Sequence, residues 1–355
     1  MAYFYVKELK MKEIEIHGST GLSKILVGEN LINLKSYIPD ENVVLITDEN
    51  VSQYYRKQFP DYPVITIGTG ESVKTLDTAA YIYQNLLDMN AQRSTMLVGI
   101  GGGIVCDITG FVASTYLRGI SFGFVSSTLL SQVDASVGGK NGVNFKGYKN
   151  MVGVFNQPSF VICDLNLLKT LPERDLLSGF AEIVKHAAIE DADLFEYLEK
   201  NYKKALSLDL NVIERLVYDS VVIKASVVNR DEKEKGERRK LNFGHTLGHA
   251  IEKTTGIPHG EAVSLGMIFA ALLSVKKGLL SSAEKQQLAT LLKNLKLPTA
   301  VDIDKNKIMD ALNKDKKREG KGIHFVLLDG IGKAVIEEIS IIELHQALDN
   351  VFDKT

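Results

Sequence analysis

Three of the chain's seven histidines fall within residues 241–267, LNFGHTLGHAIEKTTGIPHGEAVSLGM. His245 and His249 are four apart, so on a helix they share a face. His259 follows Pro258 and stands where a second helix would begin. A single histidine on an apolar face is more often a core residue than a ligand, but three crowded among glycines favour a divalent metal. Catalytic zinc takes three protein ligands and keeps one position open. The segment reads HTLGH, without the glutamate of H-E-x-x-H, which counts against a metalloprotease. Glu182, in the apolar stretch SGFAEIVKHAAI, is a candidate carboxylate ligand, because a buried carboxylate needs a cation or a metal beside it. A pair with His186 at i+4, or with a nearby lysine, accounts for it equally well.

A second constellation is TMLVGIGGGIVCDITG, with Gly101, Gly102 and Gly103 between a buried strand and a helix start. Glycines there let backbone N–H groups approach a pyrophosphate at a positive helix end. The dinucleotide spacing G-x-G-x-x-G is not met, since Ile104 takes the third position. A plain tight turn that needs positive φ explains the same residues. Asp107 follows in the first helical turn. Asp48 and Asn50 after VVLIT, and Glu71 and Lys74 after VITIGTG, place further polar groups at strand ends, where open parallel sheets bind ligands.

The third is DASVGGKNGVNFKGYKN, residues 134–150, rich in lysine, asparagine and glycine. It reads as a solvated loop or as a flexible loop that binds phosphate. Arg238, Asn242, His245 and His249, at spacings of 4, 3 and 4, would share one helical face, with Lys224 on a preceding helix.

The elements that must position these groups differ between the two halves of the chain. Strand-like runs at 13–17, 43–47, 64–67, 96–100, 122–126 and 160–163 alternate with helical patterns such as 74–89, which implies βαβ units and a mostly parallel sheet. From Pro172 to about Leu295 nearly everything follows a 3.6-residue period, and a strand pair at 323–328 and 334–336 precedes a last helix near 340–352. At 355 residues two domains are expected, 1–170 and 171–355, with a ligand cleft between them. A formal net charge of −2 gives no basic field for nucleic acid. No run approaches the length of a membrane span, and the first residues lack a signal-peptide core, so a cytoplasmic protein is expected. Cys106 and Cys163 sit in apolar contexts, which argues against a disulfide framework.

Along essentially its whole length the chain resembles the 3-dehydroquinate synthase family of sugar phosphate cyclases. The matching stretches are GGGIVCDITGFVASTYLRG, STLLSQVDASVGGKNGVN, KNMVGVFNQP, GFAEIVKHAAI, LNFGHTLGHAIE and PHGEAVSLGM, in the right order. The resemblance implies an α/β N-terminal Rossmann-like domain that binds NAD, and a mostly α-helical C-terminal domain that binds metal and substrate. It implies Glu182, His245 and His259 as ligands of zinc or cobalt, with His249 touching substrate or supporting the ligands. Asp134, Lys140, Lys185, Lys224, Arg238 and Asn242 match catalytic positions, and Asn150 a substrate contact. Arg118 matches an arginine that reaches a neighbouring subunit's site, which implies a homodimer. For NAD the matches are Asp48, Asn50, Glu71, Lys74, Gly102, Gly103, Asp107, Ser127, Thr128, Leu130 and Lys149.

The implied reaction belongs to the shikimate pathway of aromatic amino acid biosynthesis. It turns 3-deoxy-D-arabino-heptulosonate 7-phosphate into 3-dehydroquinate and phosphate, by transient NAD oxidation, β-elimination, re-reduction and aldol closure. Two alternatives stand beside it: another sugar phosphate cyclase, or a metal-dependent NAD alcohol or glycerol dehydrogenase. Together, Lys224 and Arg238 suit a substrate carboxylate that the other cyclases' substrates lack. The sequence departs from the family at Asn141, Phe145 and Lys146. His324 stands where the family has arginine or lysine, with Lys316, Lys317, Arg318 and Lys321 nearby as alternative cations.

Overall fold

A computed structural model describes residues 11–302, 304–316 and 323–352, with side-chain detail ending at 312 and 348 in the last two stretches. The chain divides into two compact units, residues 1–171 and 172–355.

The first unit is built on one seven-stranded sheet. Its strands are β1 (Lys12–Gly18), β2 (Gly21–Val27), β3 (Val43–Asp48), β4 (Val64–Ile67), β5 (Met96–Gly101), β6 (Phe122–Ser126) and, after the hairpin β7 (Lys140–Phe145) and β8 (Tyr148–Phe155), β9 (Phe160–Cys163). They lie in the order β1-β2-β9-β6-β5-β3-β4. Only the β1–β2 pair is antiparallel. β5, β6 and β9 are buried at every residue, as parallel strands covered on both faces require. β1 alternates in burial, as expected of an edge. Helices α1 (Glu49–Tyr55), α2 (Leu76–Asp88) and α3 (Gly103–Thr115) connect successive parallel strands. The carboxyl ends of β6, β5, β3 and β4 therefore stand side by side, and the polar residues that follow them share one edge.

Residues 134–150 are not a loop. Ser131–Ala135 forms a π-helical turn, and β7 and β8 pair as a hairpin. Phe145 faces Tyr148 across Lys146 and Gly147, whose φ values are 49° and 80°. Positive φ at both central residues is the hairpin turn whose twist matches that of its strands. The lysine and glycine content that reads as a flexible loop is here the chemistry of a tight turn.

The second unit holds α4 (Glu173–Glu190), α5 (Ala192–Leu206), α6 (Leu210–Arg230), α7 (His245–Thr255), α8 (His259–Lys276), α9 (Ser282–Asn294) and α10 (Lys305–Lys316). The hairpin β10 (Ile323–Leu328) and β11 (Ala334–Ile339) and the helix α11 (Ile341–Phe352) follow. Asp191, Asp209 and Ser281 cap α5, α6 and α9 through their side chains. α8 is buried almost all round, as a central helix must be. Arg238 and Asn242 do not continue onto the helix of His245. Glu237–Asn242 is a separate 3-10 turn, Phe243 leaves helical geometry at ψ 125°, and Gly244 turns left-handed at φ 78°. The 4, 3, 4 spacing thus spans a break. Among the described residues no helix is long and apolar enough to cross a membrane. Cys106 and Cys163 are free and buried.

Candidate metal and substrate site

α7 and α8 cross at glycines. A Cβ on Gly266 would lie 1.8 Å from the carbonyl oxygen of Gly244, and one on Gly248 would lie 3.0 Å from that of Ala262. α7 ends at Gly256, left-handed at φ 72°, and Pro258 precedes the first residue of α8. This return brings His259 back beside His245. Their ring centroids are 5.3 Å apart, with His249 at 5.2 Å from His245 and 6.2 Å from His259.

Glu182, fully buried on α4, points Oε1 at both imidazoles: 3.5 Å to Nε2 of His245 and 3.4 Å to Nε2 of His259. Ligands about 2.0–2.1 Å from a tetrahedral ion stand roughly 3.3 Å apart, so the spacing fits a divalent ion. The three side chains can each offer one ligand atom, and these atoms all lie within 4.8 Å of one another. The other oxygen, Oε2, pairs with Lys185 Nζ. The lysine ion pair and the approach to the imidazoles therefore use different oxygens of Glu182.

Both imidazoles are held from behind. His245 Nδ1 lies 3.2 Å from the Phe243 carbonyl, and His259 Nδ1 lies 3.3 Å from Glu252 Oε2. Burial drives the His245 pKa down to about 3, against the pull of Glu182. For His259 burial also lowers the pKa, but hydrogen bonds and charge from Glu182 and Glu252 outweigh it and raise the value to about 9. His249, on the same helix face as His245, is exposed.

The candidate substrate cations of this unit, Lys224 and Arg238, are buried as well. Lys224 on α6 is 6% exposed and Arg238 is 2% exposed, and α6 packs on the 3-10 turn that carries Arg238. Asp231 braces that turn by accepting hydrogen bonds from the backbone N–H groups of Lys235, Gly236 and Arg238 at 3.0, 2.7 and 3.1 Å. These bonds hold its carboxyl below the usual range, the Lys235 bond most of all. The Arg238 guanidinium donates to the Glu232 carbonyl, and Asn242 donates to Glu234 Oε1 at 2.6 Å. His324 is exposed on β10, its carbonyl 3.4 Å from Thr246 Oγ1 at the start of α7. Lys316, Lys317, Arg318 and Lys321 lie outside the residues whose side chains are described.

In the first unit Glu71, Lys74 and Asp107 join Asn144 and Asn150 in one hydrogen-bonded set. Lys74 Nζ donates to Asp107 and, at 2.6 Å, to Asn150 Oδ1. Asn144 donates from Nδ2 to Glu71 at 2.8 Å, and from its backbone N–H to the Lys74 carbonyl at 2.8 Å. The β7–β8 hairpin is thereby tied to the segment that follows β4. Asp107 lies a full turn inside α3, which starts at Gly103, rather than in the first turn. Asp48 caps α1 by accepting from Val51 N–H at 2.9 Å, while Asn50 is exposed. The glycine turn does not need positive φ. Gly101, Gly102 and Gly103 all lie outside the left-handed region, and Gly102 has φ −76°. Space is the reason for glycine: a Cβ would meet Val105 at 2.5 Å from Gly101, Thr128 at 2.9 Å from Gly102 and Ala135 at 2.9 Å from Gly103. Ser127 donates its backbone N–H to the Gly101 carbonyl, and the Thr128 and Ser131 hydroxyls bond each other. Leu130 is half-buried, and Asp134 half-buried in the π-helical turn. Lys140 and Lys149 are exposed on the hairpin. Asn141 is a packing residue, its amide donating to the carbonyls of Gly139 and Asn156.

Sequence reasoning overlooked Glu252 and Glu234. A signal existed for the first: Glu252 lies seven residues after His245, two helical turns along the same stripe.

Residues 64–178 match the family model of the 3-dehydroquinate synthase N-terminal region, and residues 179–318 that of its C-terminal region. The 3-dehydroquinate synthase of Dehalococcoides mccartyi is 42% identical over 344 residues, covering 92% of this chain and 96% of the relative. Among solved structures, a 2-deoxy-scyllo-inosose synthase complexed with carbaglucose-6-phosphate, NAD+ and Co2+ superposes with a TM-score of 0.85 at 27% identity, over 96% of this chain and all of that one. A 2-epi-5-epi-valiolone synthase from Streptomyces hygroscopicus, with NAD+ and Zn2+ bound, reaches 0.85 at 25% identity over the whole of both chains.

Proposed function

The chain belongs to the 3-dehydroquinate synthase family, and from that premise we propose how its residues divide the work. The activity is that of a 3-dehydroquinate synthase, a lyase that depends on NAD and a divalent metal. Its substrate is a phosphorylated sugar acid, 3-deoxy-D-arabino-heptulosonate 7-phosphate in our reading.

Glu182, His245 and His259 hold the metal, zinc or cobalt. When bound, the ion would supply Lewis-acid chemistry at a substrate hydroxyl and NAD a reversible hydride acceptor. Everything else is orientation and charge placement by the chain. Lys224 and Arg238, already desolvated, neutralise the substrate carboxylate, with Asn242 fixing its position beside them. In the first unit Lys140 and Asn150 would bind the phosphate, and in the second His249 and His324 would give further substrate contacts. Lys185 would hydrogen-bond a hydroxyl group beside the metal, and Asp134 would contact a substrate hydroxyl. The residues at the strand ends of the first unit would hold NAD. Gly102 and Gly103 admit its pyrophosphate to the amino end of α3. Asp48, Asn50, Glu71, Lys74, Asp107, Ser127, Thr128, Leu130 and Lys149 line the remainder. Leu117, Arg118 and Gly119 take φ values of 48°, 69° and 117° in succession, an arrangement costly for a leucine. It presents an exposed Arg118, which reaches the neighbouring site of a homodimer.

The observation that carries this reading is the convergence of Glu182 Oε1 with the two Nε2 atoms in a unit where Lys224 and Arg238 are also buried. The test is a coupled assay. Heptulosonate phosphate should release inorganic phosphate without NADH accumulating. Net NADH would indicate an alcohol dehydrogenase, and turnover of a sugar phosphate lacking a carboxylate would indicate another cyclase. Metal analysis of the wild type beside His245→Ala and His259→Ala tests the ligand set.

A further inference from the structure

Glu252 lies outside the ligand set and outside the residues that match the family's substrate positions. Its carboxylate is mostly buried, 13% exposed, and Oε2 lies 3.3 Å from His259 Nδ1, on the side of the ring away from Glu182. Helix stability does not explain a glutamate at this position. It stands in the last turn of α7, where the negative end of the helix dipole disfavours a carboxylate. Nor is it a solvated surface acid, for a neighbouring helix delivers an imidazole to it.

We propose that Glu252 is a positioning residue for the metal site: it accepts the Nδ1–H of His259, fixes the tautomer that leaves Nε2 free to bind, and sets the ring's angle toward Glu182. This rests on the reading that Glu182, His245 and His259 hold a divalent ion.

Three features support it. His259 is the first residue of α8, next to Pro258, and is less buried than His245, so packing constrains its ring less. His245 has a backbone carbonyl in the equivalent place, 3.2 Å from its Nδ1. For His259 the Nδ1 partner is the side chain of Glu252, so the arrangement can be changed by substitution. Glu252 also shares a helical stripe with His245 and His249, so one rigid element carries a ligand, the imidazole beside it and the acceptor for the second ligand. A carboxylate behind a ligand histidine raises its basicity and orients it, and its loss typically weakens metal binding roughly 10–100-fold.

The experiment uses the full chain, stripped of metal and reloaded with Co2+. Wild type, Glu252→Gln and Glu252→Ala are compared by chelator-competition affinity, by Co2+ dissociation rate, by the visible Co2+ absorption band and by Tm of the metal-free form. Glu252→Ala should bind roughly 10–100-fold more weakly and release the ion correspondingly faster, with an altered band. Glu252→Gln keeps the shape and an acceptor oxygen but not the charge. It should fall between, with the metal-free Tm of wild type. If Glu252→Ala does not fold, the glutamine variant decides. Wild-type affinity, rate and band in the glutamine variant overturn the proposal, as does a lowered metal-free Tm with unchanged metal binding, which would make Glu252 a plain helix–helix link. A wild-type protein that binds no Co2+ overturns instead the ligand assignment beneath it.

Discussion

Gly266→Ala is the sharpest probe of how the fold makes the metal site. The added Cβ would lie 1.8 Å from the carbonyl oxygen of Gly244, 2.8 Å from its carbon and 3.0 Å from the backbone nitrogen of Gly248. All three are main-chain atoms of α7 or of the turn just before it, so no side chain can rotate aside. Restoring a contact of about 3.5 Å requires a shift of roughly 1.7 Å between the helices. His245 directly follows Gly244, and His259 opens the helix that carries Gly266. Metal–ligand distances tolerate only about 0.2 Å, so the two imidazoles can no longer share an ion with Glu182. Overpacking of this kind costs about 1–3 kcal/mol, and at about 2–4 °C per kcal/mol for a unit of this size the metal-free Tm should fall by roughly 2–12 °C. The assays are differential scanning calorimetry of the metal-free form and Co2+ titration. Gly278→Ala is the control. Gly278 has φ 72° with nothing within 4 Å of a Cβ, so alanine there costs about 1–2 kcal/mol of backbone strain and should leave metal binding untouched. Wild-type Co2+ affinity in Gly266→Ala, or equal loss of metal in Gly278→Ala, would refute the reasoning.

Arg238→Ala should raise KM for the heptulosonate phosphate roughly 10–150-fold, the worth of about 1.5–3 kcal/mol for a hydrogen bond to a charged group, with metal content by elemental analysis unchanged. Asp231 has a carboxyl held below its usual range by backbone donors. Its stabilisation of the 231–238 turn is therefore complete above the unfolded value of about 3.9 and is lost as pH falls through the lower folded value. Protection factors of the 235, 236 and 238 amides should stay high at pH 5 and fall only in that acid window, whereas in Asp231→Asn they should be low at both pH values. For Arg118, equal amounts of Arg118→Ala and His245→Ala subunits, each inactive alone, should regain about 25% of wild-type activity after mixing, since half the dimers are mixed and each holds one complete site. No recovery despite proven subunit exchange would mean that Arg118 serves its own chain.

Much of this was legible in local pattern. The apolar runs and glycine-bounded helices that read as βαβ units are the sheet strands and crossovers, because burial on both faces leaves a mark on every residue of a parallel strand. The helical period from Pro172 onward held for the same reason, since buried helices repeat their apolar positions along the chain. His245, Glu182 and His259 could be picked out by residue type and setting.

Pattern failed wherever backbone conformation turned on one or two residues. The 4, 3, 4 spacing from Arg238 to His249 looked continuous, yet the left-handed Gly244 interrupts it so that α7 can meet α8. Residues 134–150 looked like loop because glycine and lysine suit a type of hairpin turn as well as they suit solvent. What the sequence determined by itself was which residues are chemically able to hold an ion and which segments are stiff enough to carry them. That Glu182 Oε1 faces two imidazoles while Oε2 takes Lys185, and that Glu252 stands behind His259, was decided only when three helices packed, for such distances depend on how closely backbones approach, and glycine contacts between separate helices set that approach.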